Sequence, residues 1–478
     1  MAMGPSKYDT VVIGGGMSGL TCAALQARRG KRVAVVESGP HPSPTLRGFT
    51  RKGIYLDSGF HYGGSAGEGG LLPHLLGQLG ASGALEGRLH TLRAFDRVRF
   101  LKPDFEFAFP QGWEALEQAL CEAFPSDADA VGQFLRQVKT LWHQGKATFL
   151  ADYGKSLGTL FFGNGCSAQE AIDRCTANPV LAALLSCHGI LYGTGAHETS
   201  LIFHSLVVGS FYESACMVRG GGRVVVEALE AVLQEAGVDL VCGHKVVGVR
   251  GNDQGAFAAA ELDSGDCLTA RCCISTIHPK CLLELVPSHA FSPAYRRRIL
   301  GLEETPSAVV LFGRCPSAAF SGNLILLGEP RAIPCWQRLP LEERPLFVSV
   351  APMNDGAVSI ICPATLDDIP GWDGREKRPE GYQDWKKGLA DRLSRHVATH
   401  AGDLLGRFDL LDVATPLTFR DWLGSPEGGL YGVKHRLVDL PLLPRTRMQG
   451  LYLSGQAIVA PGVLGALCAG FLTDSYVS

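Results

Sequence analysis

Three glycines near the start of the chain, Gly14, Gly16 and Gly19, stand at the G-x-G-x-x-G spacing that can hold a pyrophosphate. The first makes a tight turn, the second lets a pyrophosphate approach the backbone, and the third lets a helix pack closely on the preceding strand. Met17 and Ser18 stand at the start of that helix, where free N–H groups and the positive end of the helix dipole favour phosphate. The spacing predicts a dinucleotide-binding turn.

Glu37 is the next residue with a clear chemical use. It lies eighteen residues after Gly19, where a carboxylate can accept hydrogen bonds from a ribose, and Ser38 stands beside it. An acid at this place disfavours a ribose 2′-phosphate, so FAD or NAD fits better than NADP. The alternative is a glycine-rich turn without a ligand, and the position of the acid favours the nucleotide site.

The elements around these residues are those of a nucleotide-binding unit. "TVVIG" (10–14) is a continuous apolar run typical of a strand buried on both faces, and residues 17–29 follow as a helix. "RVAVVES" (32–38) is a second such strand, and it ends at Glu37. We therefore expect an α/β fold.

A similar device stands at the other end of the chain. "LYLSGQAIVAPGVLGALCAGF" (451–471) begins with a short apolar run that breaks at Gly455. A loop with Pro461 and Gly462 follows, and then a second apolar run rich in alanine and glycine. The pattern predicts a strand, a glycine-containing turn and a helix.

The middle of the chain alternates in character. From about residue 70 to 205 helical patterns dominate, residues 223–253 predict a helix followed by two strands, and residues 290–404 mix strands with a helix. The order is nucleotide unit, insertion, nucleotide unit, insertion, nucleotide unit.

Bulk composition narrows the classes of protein. A length of 478 residues suits two or three structural units, and a formal net charge of −3 gives no electrostatic reason to expect nucleic acid. No apolar run is long enough to span a bilayer, and "MAMGPSKYDT" (1–10) lacks the apolar core of a signal peptide, so we expect a cytoplasmic location. The fifteen cysteines show no C-x-x-C spacing, which favours buried thiols over a metal site or a disulfide framework.

Several separated blocks resemble one family of flavoproteins. The chain is similar to the FAD-dependent carotenoid desaturases, carotenoid isomerases and retinol saturases, within the wider amine-oxidase-like flavoproteins. The block "LDSGFHYGGS" (56–65) looks most like the retinol saturase branch. The other blocks are "LYGTGAHETSLIFHSLVVGSFYESACMVRGGGRVVVEAL" (191–229), "TPLTFRDWLGSPEGGLYGVKH" (415–435) and "GLYLSGQAIVAPGVLGALCAG" (450–470).

The resemblance implies a domain organisation in which both termini build one FAD site. The expected segments are 1–70, 215–289 and 405–478 for a Rossmann-like FAD-binding domain, and 71–214 and 290–404 for an inserted substrate domain of sheet and helices.

The resemblance also implies flavin contacts outside the first turn. Gly455 and Gln456 would lie near the ribityl chain, and the turn at Gly462 and Val463 would start a helix facing the flavin pyrimidine ring. The remaining implied contacts are Val246 at the adenine, Gly59 in the 56–65 block and Arg47 in the loop after Glu37.

Two positions depart from the family pattern. Ala457 stands where the family usually has an acid, and the loop "SGPHPSPTLRGF" (38–49) keeps only Arg47 and Gly48 of a paired-glycine, arginine-containing turn. We therefore expect weaker FAD binding and a remodelled loop.

The activity implied by the family is flavin chemistry on carbon–carbon double bonds of an apolar polyene or isoprenoid substrate. Saturation, desaturation and isomerisation stay open, because they share one geometry. A flavin amine or amino-acid oxidase and a non-catalytic flavin-binding protein are the alternatives. No second complete G-x-G-x-x-G unit exists, so electrons are expected from an external donor or acceptor.

The candidate catalytic residues are His61, Tyr431 and Glu427. His61, beside Tyr62, is either a proton donor or flavin contact, or a turn histidine bound to the backbone. Glu427 lies near the flavin in the family, but capping a turn or pairing with Arg420 is the favoured interpretation. Tyr431 either lines the substrate cavity and donates a proton, or packs in the core with one hydrogen bond.

Two further groups have plainer interpretations. His204 stands in an apolar segment, and a buried histidine with its hydrogen bonds made is favoured there over a catalytic one. Cys272 and Cys273 are expected in the core of a strand.

An apolar substrate would have to come from a bilayer or a carrier, so a peripheral membrane contact is expected. The candidate surface lies in the helical insertion, at "LLPHLLGQLG" (71–80) and "LGTLFFGNG" (157–165). The alternative is that these residues pack within the insertion.

Overall fold

A computed structural model of the chain describes residues 7–156, 165–374 and 377–477. Its strands are β1 (Thr10–Ile13), β2 (Val33–Glu37), β3 (Phe49–Arg51), β4 (Ile54–Leu56), β5 (Gly63–Gly64), β6 (Leu89–Thr91), β7 (Ala94–Phe100), β8 (Phe105–Pro110), β9 (Ala215–Val218), β10 (Asp239–Cys242), β11 (Val246–Gly251), β12 (Phe257–Leu262), β13 (Cys267–Thr269), β14 (Cys272–Ser275), β15 (Ser307–Arg314), β16 (Gly322–Leu327), β17 (Leu346–Ala351), β18 (Ala357–Ala364), β19 (Asp409–Ala414) and β20 (Leu451–Leu453).

The α-helices are α1 (Met17–Arg28), α2 (Pro44–Arg47), α3 (Leu71–Leu79), α4 (Trp113–Ala123), α5 (Ala128–Asp152), α6 (Ala168–Cys175), α7 (Pro179–Ser186), α8 (Leu201–Glu213), α9 (Arg223–Glu235), α10 (Pro279–Leu285), α11 (Pro293–Leu300), α12 (Tyr382–Leu405), α13 (Pro416–Leu423) and α14 (Gly462–Asp474). Short 3₁₀ helices lie at Ser82–Ala84, Pro125–Asp127, Cys187–Leu191, Pro330–Arg338, Leu341–Glu343, Pro352–Asn354 and Leu366–Asp368.

Five strands form a wholly parallel sheet in the order β10-β2-β1-β14-β20. Every residue of β1 and β2 is buried, as expected when elements cover both faces of a parallel sheet. The strands come from three widely separated stretches of the chain. This sheet confirms the predicted Rossmann-like α/β architecture.

The two ends of the chain meet on this sheet. Ser18 and Ser454 share a hydrogen bond of 2.7 Å between their hydroxyl groups, which joins α1 to the end of β20. Asp474 at the end of α14 accepts a hydrogen bond of 2.6 Å from Gln26 and pairs with Arg29. A side chain at Gly470 would lie 2.5 Å from Thr21, so the two helices pack almost backbone to backbone.

A seven-stranded sheet, β19-β15-β18-β17-β16-β7-β8, forms the second layer, and its pairs are antiparallel except β16 with β7. Helix α12 packs against it through Leu389, Leu393 and Val397. Strand β19 belongs to this sheet, although the sequence predicts that residues 405–478 are part of the FAD-binding domain. The division into domains otherwise stays a prediction.

Strands interrupt the stretch of residues 70–205, in which helical patterns dominate. Residues 89–91 form β6, and residues 94–110 form the hairpin β7–β8. Phe105, Phe107 and Phe109 alternate with the exposed Glu106 and Ala108, a period of two that is typical of strands. The predicted helices on either side of this hairpin are present as α3, α4, α5 and α7.

The membrane surface predicted in the helical insertion fails where it can be checked. The leucines of α3 are all buried, because they pack into the main apolar cluster with α1 and α9. Residues 157–164 of the second candidate stretch lie outside the described residues. Within the described residues no helix is both long and apolar enough to cross a membrane.

The cysteines are unpaired wherever their side chains are described. Cys273 is buried and Cys272 half-buried in β14, as expected for strand core, whereas Cys267 is exposed. Among the residues that the structure describes, no cluster of histidine, cysteine, aspartate or glutamate could hold a metal ion.

Candidate active site

The first glycine turn has open space where a ligand would approach. Gly14 has a φ of +100°, and a side chain on it would meet Thr276 at 2.5 Å. At Gly19 a Cβ would lie 2.0 Å from the carbonyl oxygen of Gly14, so helix and strand are in close contact. At Gly16 a Cβ would have no atom within 4 Å. Helix α1 begins at Met17 without a side-chain cap, so its first N–H groups face this space.

Glu37 lies at the carboxyl edge of the parallel sheet and is only 9% exposed. Its carboxylate accepts hydrogen bonds from the backbone N–H groups of Gly15 at 2.8 Å and Gly39 at 2.7 Å. Ser38 donates to the same carboxylate at 3.3 Å. These contacts fix the acid beside the glycine turn.

The loop after Glu37 is organised by a different partner. The Arg47 guanidinium pairs with Glu230 of α9 at 2.5 Å and also donates to the carbonyl of Pro42. Gly59 lies against the carbonyl of Thr45, 2.9 Å from where its Cβ would be. Val246 is buried at the start of β11. The structure thus holds Arg47 against helix α9.

The C-terminal turn ends at the start of α14. Gly455 has a φ of +103°, and the carbonyl of Gln456 accepts a hydrogen bond of 2.9 Å from His435. Helix α14 begins at Gly462, whose φ is +81°, and no side chain caps it. Gly462 and Val463 face a cavity, so the positive end of this helix points into it.

This cavity has a volume of about 340 Å³ and a mainly apolar wall. It lies between the start of α14, the turn at residues 59–64 and the seven-stranded sheet. Apolar side chains that line it include Phe149, Leu206, Phe211, Ile325, Phe347 and Leu430. The charged pair Glu198 and Lys434, 2.9 Å apart, lies in the same wall. The arrangement suits an apolar molecule.

His61 and Tyr62 both line the cavity. Burial lowers the pKa of His61 to about 4, so its imidazole is neutral at pH 7 and can donate an N–H without carrying a charge. Its ring lies 5.9 Å from that of Phe347. The Tyr62 hydroxyl points away from solvent and donates to Asp96 at 2.8 Å.

Tyr431 also lines the cavity, whereas Glu427 does not. Burial raises the pKa of Tyr431 to about 12, so its hydroxyl keeps its proton. Glu427 is exposed and uses its backbone N–H to bind Glu304 at 3.2 Å. Arg420 pairs with Asp421 rather than with Glu427, which corrects the predicted ion pair.

His204 is fully buried in α8, away from solvent. Its Nδ1 shares a hydrogen bond of 2.8 Å with the Tyr192 hydroxyl, while its Nε2 has no hydrogen-bond partner among the described residues. Burial, together with the smaller effect of the neighbouring His188, lowers the pKa of His204 to about 3. The interpretation as a core histidine fits all but the Nε2 atom.

Two buried polar clusters were not predicted from the sequence. Asp96 of β7 accepts from Tyr62 and contacts His188 at 2.9 Å, and His188 in turn contacts Tyr212. Burial opposes charge on His188, but Cys187 and the Asp96 carboxylate hold its pKa above the usual value. The sequence did not mark this cluster, because Asp96 lies 34 residues from Tyr62 and 92 residues from His188.

The second cluster surrounds Glu304, whose side chain is fully buried. Its carboxylate binds Lys280 at 3.1 Å, the Ser425 hydroxyl at 3.1 Å and the backbone N–H of Glu427. It therefore anchors the loop that carries Tyr431. No local pattern marks such a site, because Ser425 and Glu427 follow Glu304 by 121 and 123 residues and Lys280 precedes it by 24.

Comparison with protein families places these features in a known group. The model of the flavin containing amine oxidoreductases matches residues 17–351. The all-trans-retinol 13,14-reductase of Rattus norvegicus is 24% identical over 528 residues, covering 99% of this chain and 86% of its own. Prolycopene isomerase 2 of an Oncidium hybrid cultivar is 23% identical over 505 residues, covering 97% and 83%.

Solved structures show the same fold at low identity. An oxidoreductase from Methanosarcina mazei has a TM-score of 0.65 at 17% identity, covering 97% of this chain and 98% of its own. Putrescine oxidase bound to putrescine has a TM-score of 0.63 at 15% identity, with 98% of both chains covered.

Proposed function

Because the chain belongs to the family of flavin-containing amine oxidoreductases, we propose that this FAD-dependent oxidoreductase acts on carbon–carbon double bonds of an apolar polyene or isoprenoid substrate. The reaction is a saturation, a desaturation or a cis–trans isomerisation. The observation that carries the proposal is the apolar wall of the cavity beside the start of α14. The names of the relatives, a retinol reductase and a prolycopene isomerase, support this class of substrate.

The residues present fit FAD. Space is open above Gly16 and Gly462, and two helices without side-chain caps begin beside these glycines. Bound FAD supplies hydride transfer at flavin N5. The residues proposed to hold it are Gly14, Gly16, Met17, Ser18 and Gly19 at the pyrophosphate, Glu37 and Ser38 at the ribose, Val246 at the adenine, Gly455 and Gln456 at the ribityl chain, Gly462 and Val463 at the pyrimidine, with Arg47 and Gly59 in the adjoining loops.

The chain's own groups have separate tasks around the substrate. The apolar wall excludes water and orients the polyene. Tyr431 is protonated at pH 7 and can donate its proton to a substrate carbon, whereas neutral His61 can only donate a hydrogen bond. The start of α14 stabilises negative charge. Glu427 lies on the surface and is proposed to shape the turn.

Amine oxidation is the second candidate, and one observation favours it. Tyr62 and Tyr431 both line the cavity, and two aromatic rings are what an amine oxidase would place beside the flavin. The hydroxyl of Tyr62 is held by Asp96, and the rest of the wall is mainly apolar, so a charged amine fits this cavity less well.

Anaerobic mixing of FAD-loaded protein with candidate substrates tests the proposal. Chemically reduced protein should be reoxidised by all-trans-retinol with formation of a product carrying two more hydrogens, or should isomerise prolycopene without net oxidation. Tyr431→Phe should slow the product step while FAD stays bound. Reduction of the oxidised flavin by benzylamine, with no reaction of any polyene, would replace this function by the second candidate.

A further inference from the structure

Exposed apolar side chains are concentrated in one short loop, residues 437–443, here called the apolar loop. Val438 is 79% exposed, Leu440 63% and Leu443 60%, and Leu437 is also exposed. Four of the ten exposed large hydrophobic side chains of the described residues lie within these seven positions. Such a concentration marks a contact surface rather than the usual scatter of single residues.

The loop is held in a defined shape. Leu442, near the end of the loop, is buried and anchors it in the apolar core. Arg298 of α11 donates to the carbonyl groups of Leu440 at 2.7 Å and Pro441 at 3.1 Å. Arg436 pairs with Asp439 at 2.7 Å. The exposed side chains are therefore presented on a fixed backbone.

The surroundings of the loop are strongly basic. Residues 296–303 and 434–447 contain seven lysines and arginines and two carboxylates, Glu303 and Asp439, and one of the seven, Lys434, also pairs with Glu198. Both carboxylates pair with Arg436. Arginines at the edge of an apolar surface favour an anionic partner.

The apolar loop is continuous with the wall of the cavity. Lys434 and Glu198 line the cavity as an ion pair. Three residues after Lys434, the N–H of Leu437 donates to the carbonyl of Glu198 at 2.8 Å. The His435 carbonyl accepts a hydrogen bond of 3.1 Å from Thr199 in the same segment. The surface and the cavity therefore share one short stretch of chain.

We propose that the apolar loop docks the enzyme on the surface of a bilayer that contains anionic lipid. Val438, Leu440 and Leu443 enter the boundary between headgroups and acyl chains, and the arginines around them bind lipid phosphates. The inference deepens the proposed function by naming the source of its substrate, and it relies on that function only for this part. A bilayer suits the loop better than a protein, because protein interfaces are rich in aromatic residues and this loop exposes leucine, valine and proline but no aromatic side chain.

Flotation of FAD-loaded protein with vesicles tests docking without any turnover. Vesicles of equal parts phosphatidylcholine and phosphatidylserine should carry the wild type to the top of a gradient, and phosphatidylcholine alone should carry less. Val438→Ser/Leu440→Ser should weaken binding about tenfold or more, because two aliphatic side chains no longer leave water. Arg297→Gln/Arg445→Gln should remove most of the dependence on phosphatidylserine.

Leu410→Ser, at an exposed leucine of β19 in the seven-stranded sheet, is the matched control and should float as the wild type does. The FAD content of each variant shows that it is folded. A wild type that floats with neither vesicle, or a double serine variant that floats as well as the wild type, overturns the proposal and leaves the loop as a protein-docking surface.

A second measurement separates this inference from the proposed function. The double serine variant should lose turnover of a polyene delivered in phosphatidylserine vesicles and keep turnover of the same polyene delivered by a soluble carrier. Vesicle binding without reaction of any polyene would refute the proposed function and leave the docking surface intact. An equal loss of both rates would show that the variant damages the cavity and would overturn the role of the loop in substrate delivery.

Discussion

Glu37 carries the clearest prediction at the scale of single residues. Its carboxylate already accepts hydrogen bonds from the N–H groups of Gly15 and Gly39 and lies at the proposed ribose site. Glu37→Ala should weaken FAD binding by about 1.5–3 kcal/mol, because hydrogen bonds to a charged group are lost. Fluorescence titration of the apoprotein with FAD measures this change. Glu235→Ala, at an exposed acid of α9, is the control, and an unchanged Kd for Glu37→Ala would show that this acid does not contact FAD.

His204 predicts a dependence of stability on pH. Its pKa is about 3 in the folded protein and about 6.5 in an unfolded chain. Between these pH values the unfolded chain binds more protons than the folded protein. The share that His204 contributes to the free energy of unfolding is therefore fully present above pH 6.5. That share falls by about 1.4 kcal/mol for each pH unit below it.

The variant His204→Gln tests this dependence, because glutamine keeps a polar partner for Tyr192 and does not titrate. Urea unfolding at a series of pH values should give a shallower slope for the variant than for the wild type. Equal slopes would mean that His204 is charged or exposed in the folded protein.

At the scale of elements, two glycines of the turn between β1 and α1 are expected to have different roles, one in FAD binding and one in folding. Gly16→Val should leave a folded protein without FAD, because its side chain has free space that the pyrophosphate would otherwise occupy. Gly19→Val should prevent folding, because its Cβ would lie 2.0 Å from a carbonyl oxygen. Circular dichroism and flavin absorbance of the two purified variants distinguish these outcomes. A yellow Gly16→Val protein with full FAD content would contradict the proposed pyrophosphate site.

The loop that carries Tyr431 depends on the buried acid Glu304. Glu304→Ala should lower the free energy of unfolding by about 3–5 kcal/mol, because Lys280 loses its partner in a buried place. The neighbouring Glu303 is half-exposed, so Glu303→Ala should cost less than about 1 kcal/mol. Denaturant unfolding compares the two, and equal losses would contradict the anchoring role of Glu304.

At the scale of the whole molecule, the proposed FAD site is built from both ends of the chain. A chain that ends at Gln449 lacks β20 and α14, which leaves β14 as an edge strand and exposes the buried face of α1. We expect this chain to be insoluble or colourless, because a parallel sheet with an uncovered face and edge is not stable in water. Size-exclusion chromatography with flavin absorbance measures both properties. A monomeric, FAD-containing product would contradict the joint site.

The fold of the termini and the cofactor could be predicted from sequence because their signals are local. Gly14, Gly16 and Gly19 have roles set by their own turn, and the acid at position 37 follows from the length of one helix and one strand. The resemblance of separated blocks predicts the C-terminal half of the site, which stays a prediction, while β20 lies in the parallel sheet beside β14.

Only the tertiary structure decided which polar groups meet and which apolar groups stay outside. Asp96 and His188 are 92 residues apart and Glu304 and Ser425 are 121 apart, so no local pattern joins them. Helix α3 and the apolar loop are both rich in leucine. The leucines of α3 are buried, whereas most of those in the apolar loop are exposed. The difference arises because burial depends on what other segments cover a residue, which is a property of the folded chain and not of its local sequence.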